Sequence, residues 1–273
     1  MSIIAISRGT LSGGEALAKG VAERLGYRCV GREVILEAAR EYGVTIEELT
    51  AATEKRPPFW ERAIGKRTAH LMFLQAALCE QARGDKLVYH GYLGHLLLPG
   101  ITHVLSVRVI ADLELRIQAV MEHQHLGRPD AMTYIEKVDK ERQQWTRFMF
   151  KVDWDDPSLY DLVLNLSRIS LAIACDTVVH LTTQAEFTPT AASVKAMQDL
   201  ALSSRASAVL ARDPRTTGAN LKVETDDGLV TVTGTTQSPA VIEAVPLVVR
   251  QVDGVKNVRS EVRFLREGSD APA

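Results

Sequence analysis

The sequence predicts an α/β protein: a five-stranded parallel sheet flanked by helices, followed by a small α+β module. Three observations carry that prediction. Five short apolar runs, at 3–7, 28–30, 87–90, 104–110 and 162–166, alternate with helical patterns. Strands separated by helices form right-handed crossover units and hence a parallel sheet. The character then changes after about residue 185, where an Asp226-Asp227-Gly228 turn stands between two alternating runs, the signature of an antiparallel hairpin.

Along the chain, residues 3–7 are almost uniformly apolar, as a strand buried on both faces is. Residues 16–25 place Leu17, Val21 and Leu25 at i, i+4 and i+8 on one helical face. Segments 33–42 and 68–81 behave alike. Residues 170–181 fit a helix or, through Thr177-Val178-Val179, a strand; the helix is preferred. Residues 187–190 read as a linker or a helix start, and 191–211 as a helix ending at Arg212-Asp213-Pro214. Strand 221–225, the Asp-Gly turn, strand 229–234, helix 239–252 and strand 256–265 complete the second module. The expected bounds are 1–185 for the α/β domain, 186–190 for a linker, 191–266 for the second domain and 267–273 for a disordered tail.

The chain has 273 residues, 46% apolar and 24% charged, with a formal net charge of -2. Nothing in that balance points to nucleic acid. No apolar stretch reaches the roughly 18 residues of a membrane span. The amino terminus lacks a basic segment and a long apolar run, so a cytoplasmic location is expected. Cys29, Cys79 and Cys175 lack metal spacing and read as reduced packing thiols. His90, His95 and His103 also lack it and read as ordinary polar or packing histidines, so no metal ligands are assigned.

The first run leads into Gly9-Thr10-Leu11-Ser12-Gly13-Gly14-Glu15-Ala16. Glycines before a helix let backbone amides approach an anion. The spacing from Gly9 to Gly14 is that of a phosphate loop, but the lysine and the magnesium-binding hydroxyl that follow in the usual pattern are missing. Spacing alone leaves two readings: an anion cradle, or a tight turn in which Glu15 complements the helix dipole.

Further blocks stand in order: Ser7-Arg8 with Ser12-Gly13-Gly14, Leu25-Gly26-Tyr27 with Arg32-Glu33, Val107-Arg108-Val109 with Arg116-Ile117, Asp139-Lys140-Glu141-Arg142, and Asp153-Trp154-Asp155-Asp156-Pro157 with Tyr160 to Asn165. On these blocks, residues 1 to about 183 resemble the cytidylate kinase-like family of P-loop nucleoside monophosphate kinases. The resemblance implies ATP-dependent phosphoryl transfer, with magnesium, to a CMP-like acceptor. It implies that the loop, with Arg8, Gly9, Ser12, Gly13 and Gly14, holds donor phosphates and that Arg32 meets the acceptor's phosphate. Asp139 and Arg142 would act from a closing lid, and Asp161 would hold the acceptor base. Each has a structural rival: a helical ion pair for Asp139 and Arg142, a helix start for Arg32-Glu33, and a strand anchor for Asp161. Asp155-Asp156 reads as a turn and cap.

Three departures from the family pattern cluster at the expected chemistry. Glu15 replaces a basic residue, Gly31 an aspartate, and Tyr92 the arginine of a Gly-Arg-Gly run. The two lost cations and the gained anion change the local balance by about three charges, and losing one preorganised donor alone costs roughly 3 kcal/mol. Arg8, Lys19 and Arg108 are the cations placed to compensate. Residues 191 to 265 resemble a BON domain, carried by 210–214, by 223–234 and by Val252-Asp253-Gly254-Val255-Lys256-Asn257-Val258. A protein or small-ligand partner follows from that resemblance; the rival is a stabilising or oligomerising appendage. Two functional readings stay open: a nucleotide-binding kinase, or an inactive pseudokinase that senses nucleotide and signals through the second module.

Overall fold

The computed structural model describes residues 2–54, 61–91 and 93–265, with the side chains of 51–54 and 61–67 left aside. The first unit runs β1 (Ile3–Arg8), α1 (Gly14–Leu25), β2 (Arg28–Val30), α2 (Glu33–Tyr42), α3 (Ile46–Glu54), α4 (Glu61–Ala82) and β3 (Leu87–Gly91). It continues with α5 (Gly94–Leu97), β4 (Val104–Ile110), α6 (Leu113–Gln124), α7 (Arg128–Phe150), β5 (Leu162–Asn165) and α8 (Leu171–Leu181). The sheet order is β2-β3-β1-β4-β5, with parallel neighbours throughout. The preferred helix over 170–181 is the observed state, capped by Ser170, whose side chain accepts from the amide of Ile173.

Alternation along β1 builds a core on each face of the sheet. Ile3 and Ala5 pack with α2, α4 and the buried Trp145 and Trp154. Ile4 and Ile6 pack with Leu17 and Val21 of α1 and Cys175 and Val178 of α8. Each fully buried aliphatic side chain contributes about 1.5–3 kcal/mol.

The second unit follows a short 3-10 turn at Ala185–Phe187 and runs α9 (Ala191–Arg212), β6 (Asn220–Asp226), β7 (Leu229–Thr236), α10 (Pro239–Val249) and β8 (Asn257–Phe264). Its sheet order is β6-β7-β8. β6 and β7 pair antiparallel, and β8 joins parallel after the α10 crossover. Asp227 and Gly228 both take positive φ, 46° and 85°. That is the turn geometry Asp-Gly supplies to a right-twisted hairpin. Helix α9 belongs to two cores at once. Its Met197, Ala201 and Ala208 join the core of the first unit, while Leu202, Ala206 and Leu210 lie under the small sheet.

Candidate nucleotide site

The chemistry-bearing residues gather beyond the carboxy-terminal ends of β1, β3 and β4, where open α/β sheets bind ligands. Gly13, at φ 85°, caps α1 in a left-handed conformation that costs glycine little. A Cβ on Gly14 would lie 2.7 Å from the Cβ of Arg8, so the loop folds closely over its own strand.

Much of the loop's polarity is used internally. Gly9 N–H donates to Val109 O (3.5 Å) and Ser12 N–H to Gly9 O (3.3 Å). The Ser12 hydroxyl lies within bonding distance of the same two carbonyls, at 3.2 and 3.1 Å. Thr10 donates to Asp139 Oδ1 from its amide (3.4 Å) and its hydroxyl (2.8 Å). Arg116 bonds Asp139 Oδ2 at 2.5 Å and the Thr10 carbonyl at 2.9 Å, and Arg142 donates to Thr10 Oγ1 at 3.3 Å. A carboxylate of α7 thus rests on the loop in the manner of an anion. What the loop retains is its helix start. The amide of Leu17 bonds Gly13 O, so the amides of Gly14, Glu15 and Ala16 precede the helical ladder, at the positive end of the dipole.

Glu15 stands in that first turn, paired to Lys19 at 2.9 Å. The hydrogen bond from Lys19 leads in holding its carboxyl below the usual range, with smaller contributions from the Lys19, His90 and Arg8 charges against a desolvation cost. The loop does not offer a side-chain ligand set for magnesium. Ser12 is turned inward, and alanine occupies position 16, where the usual motif has its hydroxyl.

Beside the loop lies a cleft of about 350 Å³. Arg8 from the end of β1, Arg32 from the start of α2 and Arg142 from α7 all line it. Val34, Leu74, Leu93 and Leu97 give it an apolar wall, and His90 closes one side. The Glu33 carboxylate caps its own helix, accepting from Gly31 N–H at 2.7 Å. Bonds from its own amide and that of Gly31 hold its carboxyl below the ordinary range. Two of the three histidines serve packing: His95 packs tilted against Tyr160, ring centres 4.6 Å apart, and His103 lies buried 3.2 Å from Asp85. His90 and Leu93 are cleft residues that motif reasoning missed; β3 ends at this edge of the sheet, and that was the available signal.

The block at 153–157 is architectural. Arg108 is 6% exposed, with its guanidinium 3.5 Å from the Trp154 ring centre and 2.9 Å from Asp155. Trp154 Nε1–H donates to Ser7 Oγ at 3.0 Å, and Tyr160 O–H to the Trp154 carbonyl at 2.8 Å. Asp156 caps the turn at Pro157–Leu159 by accepting from Ser158 N–H. Arg108 is therefore committed to this cluster, and Lys19 to Glu15; of the three compensating cations, Arg8 lines the cleft. Asp161 is placed elsewhere. Its carboxylate accepts from Ser106 N–H at 2.8 Å and its amide donates to Ser106 O at 2.9 Å. These bonds tie the amino-terminal end of β5 to β4, at the opposite end of the strands from the loop. Tyr92 lies outside the described residues. Among the described residues, no helix is long and apolar enough to cross a membrane.

A parallel sheet of this order, with a glycine loop after its first strand, defines a P-loop kinase-like protein. Residues 3–168 match the model of the cytidylate kinase-like family, and residues 198–266 match that of the BON domain. The chain belongs to the cytidylate kinase-like family. A cytidylate kinase of Staphylothermus marinus is 30% identical over 174 residues, 63% of this chain and 90% of that one. A cytidylate kinase of Methanopyrus kandleri is 29% identical over 160 residues, 58% and 81% of the two chains. A crystal structure of an uncharacterized protein from Eubacterium ventriosum shares the fold, with a TM-score of 0.51 and 20% identity over 67% of this chain and 100% of that one.

Proposed function

We propose that the chain binds a CMP-like nucleoside monophosphate in the basic cleft and transfers the γ-phosphoryl group of ATP to it. The acceptor's phosphate oxygen forms the new bond to phosphorus, and the bond to ADP breaks. The convergence of Arg8, Arg32 and Arg142 on one partly apolar cleft carries this reading. Guanidinium groups suit phosphate oxygens, and phosphoryl transfer asks a protein mainly for positioning and charge neutralisation. Arg32 meets the acceptor's phosphate. Arg142, bonded to Thr10 of the loop, links acceptor and donor sides. Asp139 positions the lid by holding Thr10 and Arg116. The amides at the start of α1 meet the donor, with Gly13 and Gly14 giving the approach. Magnesium enters with the donor's phosphates, which bind this ion readily while it keeps several waters.

Glu15 at the helix start and Asp139 on Thr10 favour a second reading. In it the acceptor cleft still binds nucleotide, turnover is absent, and the BON module relays occupancy to a partner. Calorimetry with CMP and ATP, followed by a coupled ADP-release assay, tests both. Binding of CMP with CMP-dependent ADP release is the expected result. CMP binding without release selects the second reading, and absence of CMP binding overturns both.

A further inference from the structure

Gly31 and His90 fit one another. β2 pairs with β3 through Val30 and Tyr89, so residues 31 and 90 come side by side one step further on. A Cβ on Gly31 would fall 2.4 Å from His90 Cε1 and 2.5 Å from Nε2. The missing side chain at position 31 therefore makes room for the imidazole ring on the wall of the cleft. There the ring shares space with Arg8, Arg32 and Arg142. Its Nδ1 is buried without a hydrogen-bond partner among the described residues. Buried polar atoms are ordinarily hydrogen-bonded, and a ligand group reaching into the cleft would satisfy this one.

The charged groups that act on the ring are Arg8 of β1, Glu15 and Lys19 of α1, and Glu33 of α2. Burial, followed by the Arg8 charge, pushes the imidazole below its usual value. Both carboxyls lie below the ordinary carboxylate range, so they stay ionised down to about pH 5. The hydrogen bond to Glu15 raises Lys19 above its ordinary value. Within this group, His90 is the side chain whose ordinary titration range lies nearest neutral pH.

We infer that His90 faces the ligand, and that a dianionic phosphate ester bound among Arg8, Arg32 and Arg142 takes up one proton on this imidazole. The inference rests on the cleft being the phosphate site proposed above, and adds the residue that responds to the ligand's charge. In the free protein the ring is desolvated beside a cation, which favours its neutral form. Two negative charges seated at the arginines cancel that field and favour the imidazolium. The bound value is then the higher one. Affinity rises as pH falls through it, and levels off below the free value. Sulfate is a suitable probe because it remains a dianion across this window, whereas a phosphate ester titrates near pH 6.

The experiment uses the full chain. NMR of the histidine rings follows His90 through a pH titration without and with saturating sulfate, and again with CMP. Calorimetry with CMP at pH 7 in buffers of contrasting ionisation enthalpy measures proton uptake. The expected result is an upward move of the His90 midpoint with both ligands, and net uptake with CMP. His90→Asn should lose the uptake and weaken CMP binding at pH 7 by roughly tenfold, the affinity that uptake of a full proton implies. Gly31→Ala, which displaces the ring while keeping the histidine, should lose it too; melting curves check that both variants fold. CMP binding with an unmoved His90 overturns the inference and leaves the site intact. Uptake that persists in His90→Asn or in Gly31→Ala also overturns it. Absence of CMP binding overturns the inference together with the proposed function.

Discussion

The loop and the cleft are neighbours that differ in charge. On the cleft side three arginines still converge on one space. On the loop side an acid heads the helix, and the Asp139 carboxylate of α7 accepts from Thr10. The two sides differ because their positive charge has different sources. The cleft draws on side chains from three elements, and a change at one leaves two. The loop draws on backbone amides and one expected basic side chain, and that position now carries the opposite sign. On the proposed reading, the acceptor side therefore keeps more of its positive charge than the donor side. Trp154, Tyr160 and Asp155 hold Arg108 in a buried cluster next to the loop side.

The largest expected effect tests the cleft. Arg32→Ala removes a charge-assisted contact to the acceptor's phosphate, and such contacts contribute about 1.5–3 kcal/mol, or roughly 10- to 100-fold in affinity. Calorimetry should show CMP weakened on that scale and ATP nearly unchanged. Equal losses for both nucleotides would erase the distinction between the two sides.

A smaller effect tests the loop. Glu15→Arg restores a cation at the start of α1, beside the amides of Gly14 and Ala16. A charge reversal at a screened distance from phosphate is worth about 1 kcal/mol, or roughly fivefold. ATP should bind that much more tightly, with CMP unaffected. An unchanged or weaker ATP affinity would remove the loop from the donor site.

Which features were legible in the sequence follows from the range of the forces that set them. The parallel sheet and the Asp227-Gly228 hairpin were legible because apolar alternation and turn chemistry act within a few residues. Helix α3 was left unread although its signal was equally local: Thr45 and Glu48 form a reciprocal cap, with Thr45 N–H donating to Glu48 at 2.9 Å and Glu48 N–H to Thr45 Oγ1 at 3.1 Å. Helix α9 was read as part of the second module alone. Its small residues, Ala201 and Ala208, are buried against the first core, and alanine carries too weak a periodic signal to reveal a second packed face. Within the candidate site, the residue types of Arg8, Arg32 and Arg142 were legible, while their meeting depends on three separate elements. The hold of Asp139 on Thr10 spans 129 positions, and the contact of His90 with Gly31 depends on strand pairing. The block around Asp161 matched a family pattern that mixes site residues with architecture, and motif matching cannot separate the two; only its bond to Ser106 does.

The smallest expected effect sharpens the loop side of the comparison. Lys19 lies one turn beyond Glu15 and bonds it at 2.9 Å, with both side chains more than half exposed. An exposed pair of this kind adds little to folding, so Lys19→Ala should leave the melting temperature nearly unchanged. Its consequence is electrostatic. The partner that offsets Glu15 is removed, and an uncompensated carboxylate then faces the donor's phosphates. ATP affinity should fall by about twofold at low salt, with the difference shrinking as ionic strength rises and the Debye length shortens. In the Glu15→Arg background the same change should produce no such loss, because there is no carboxylate left to offset. A loss of equal size in both backgrounds would mean that Lys19 touches the donor itself, making it a cation of the loop and not the partner of Glu15.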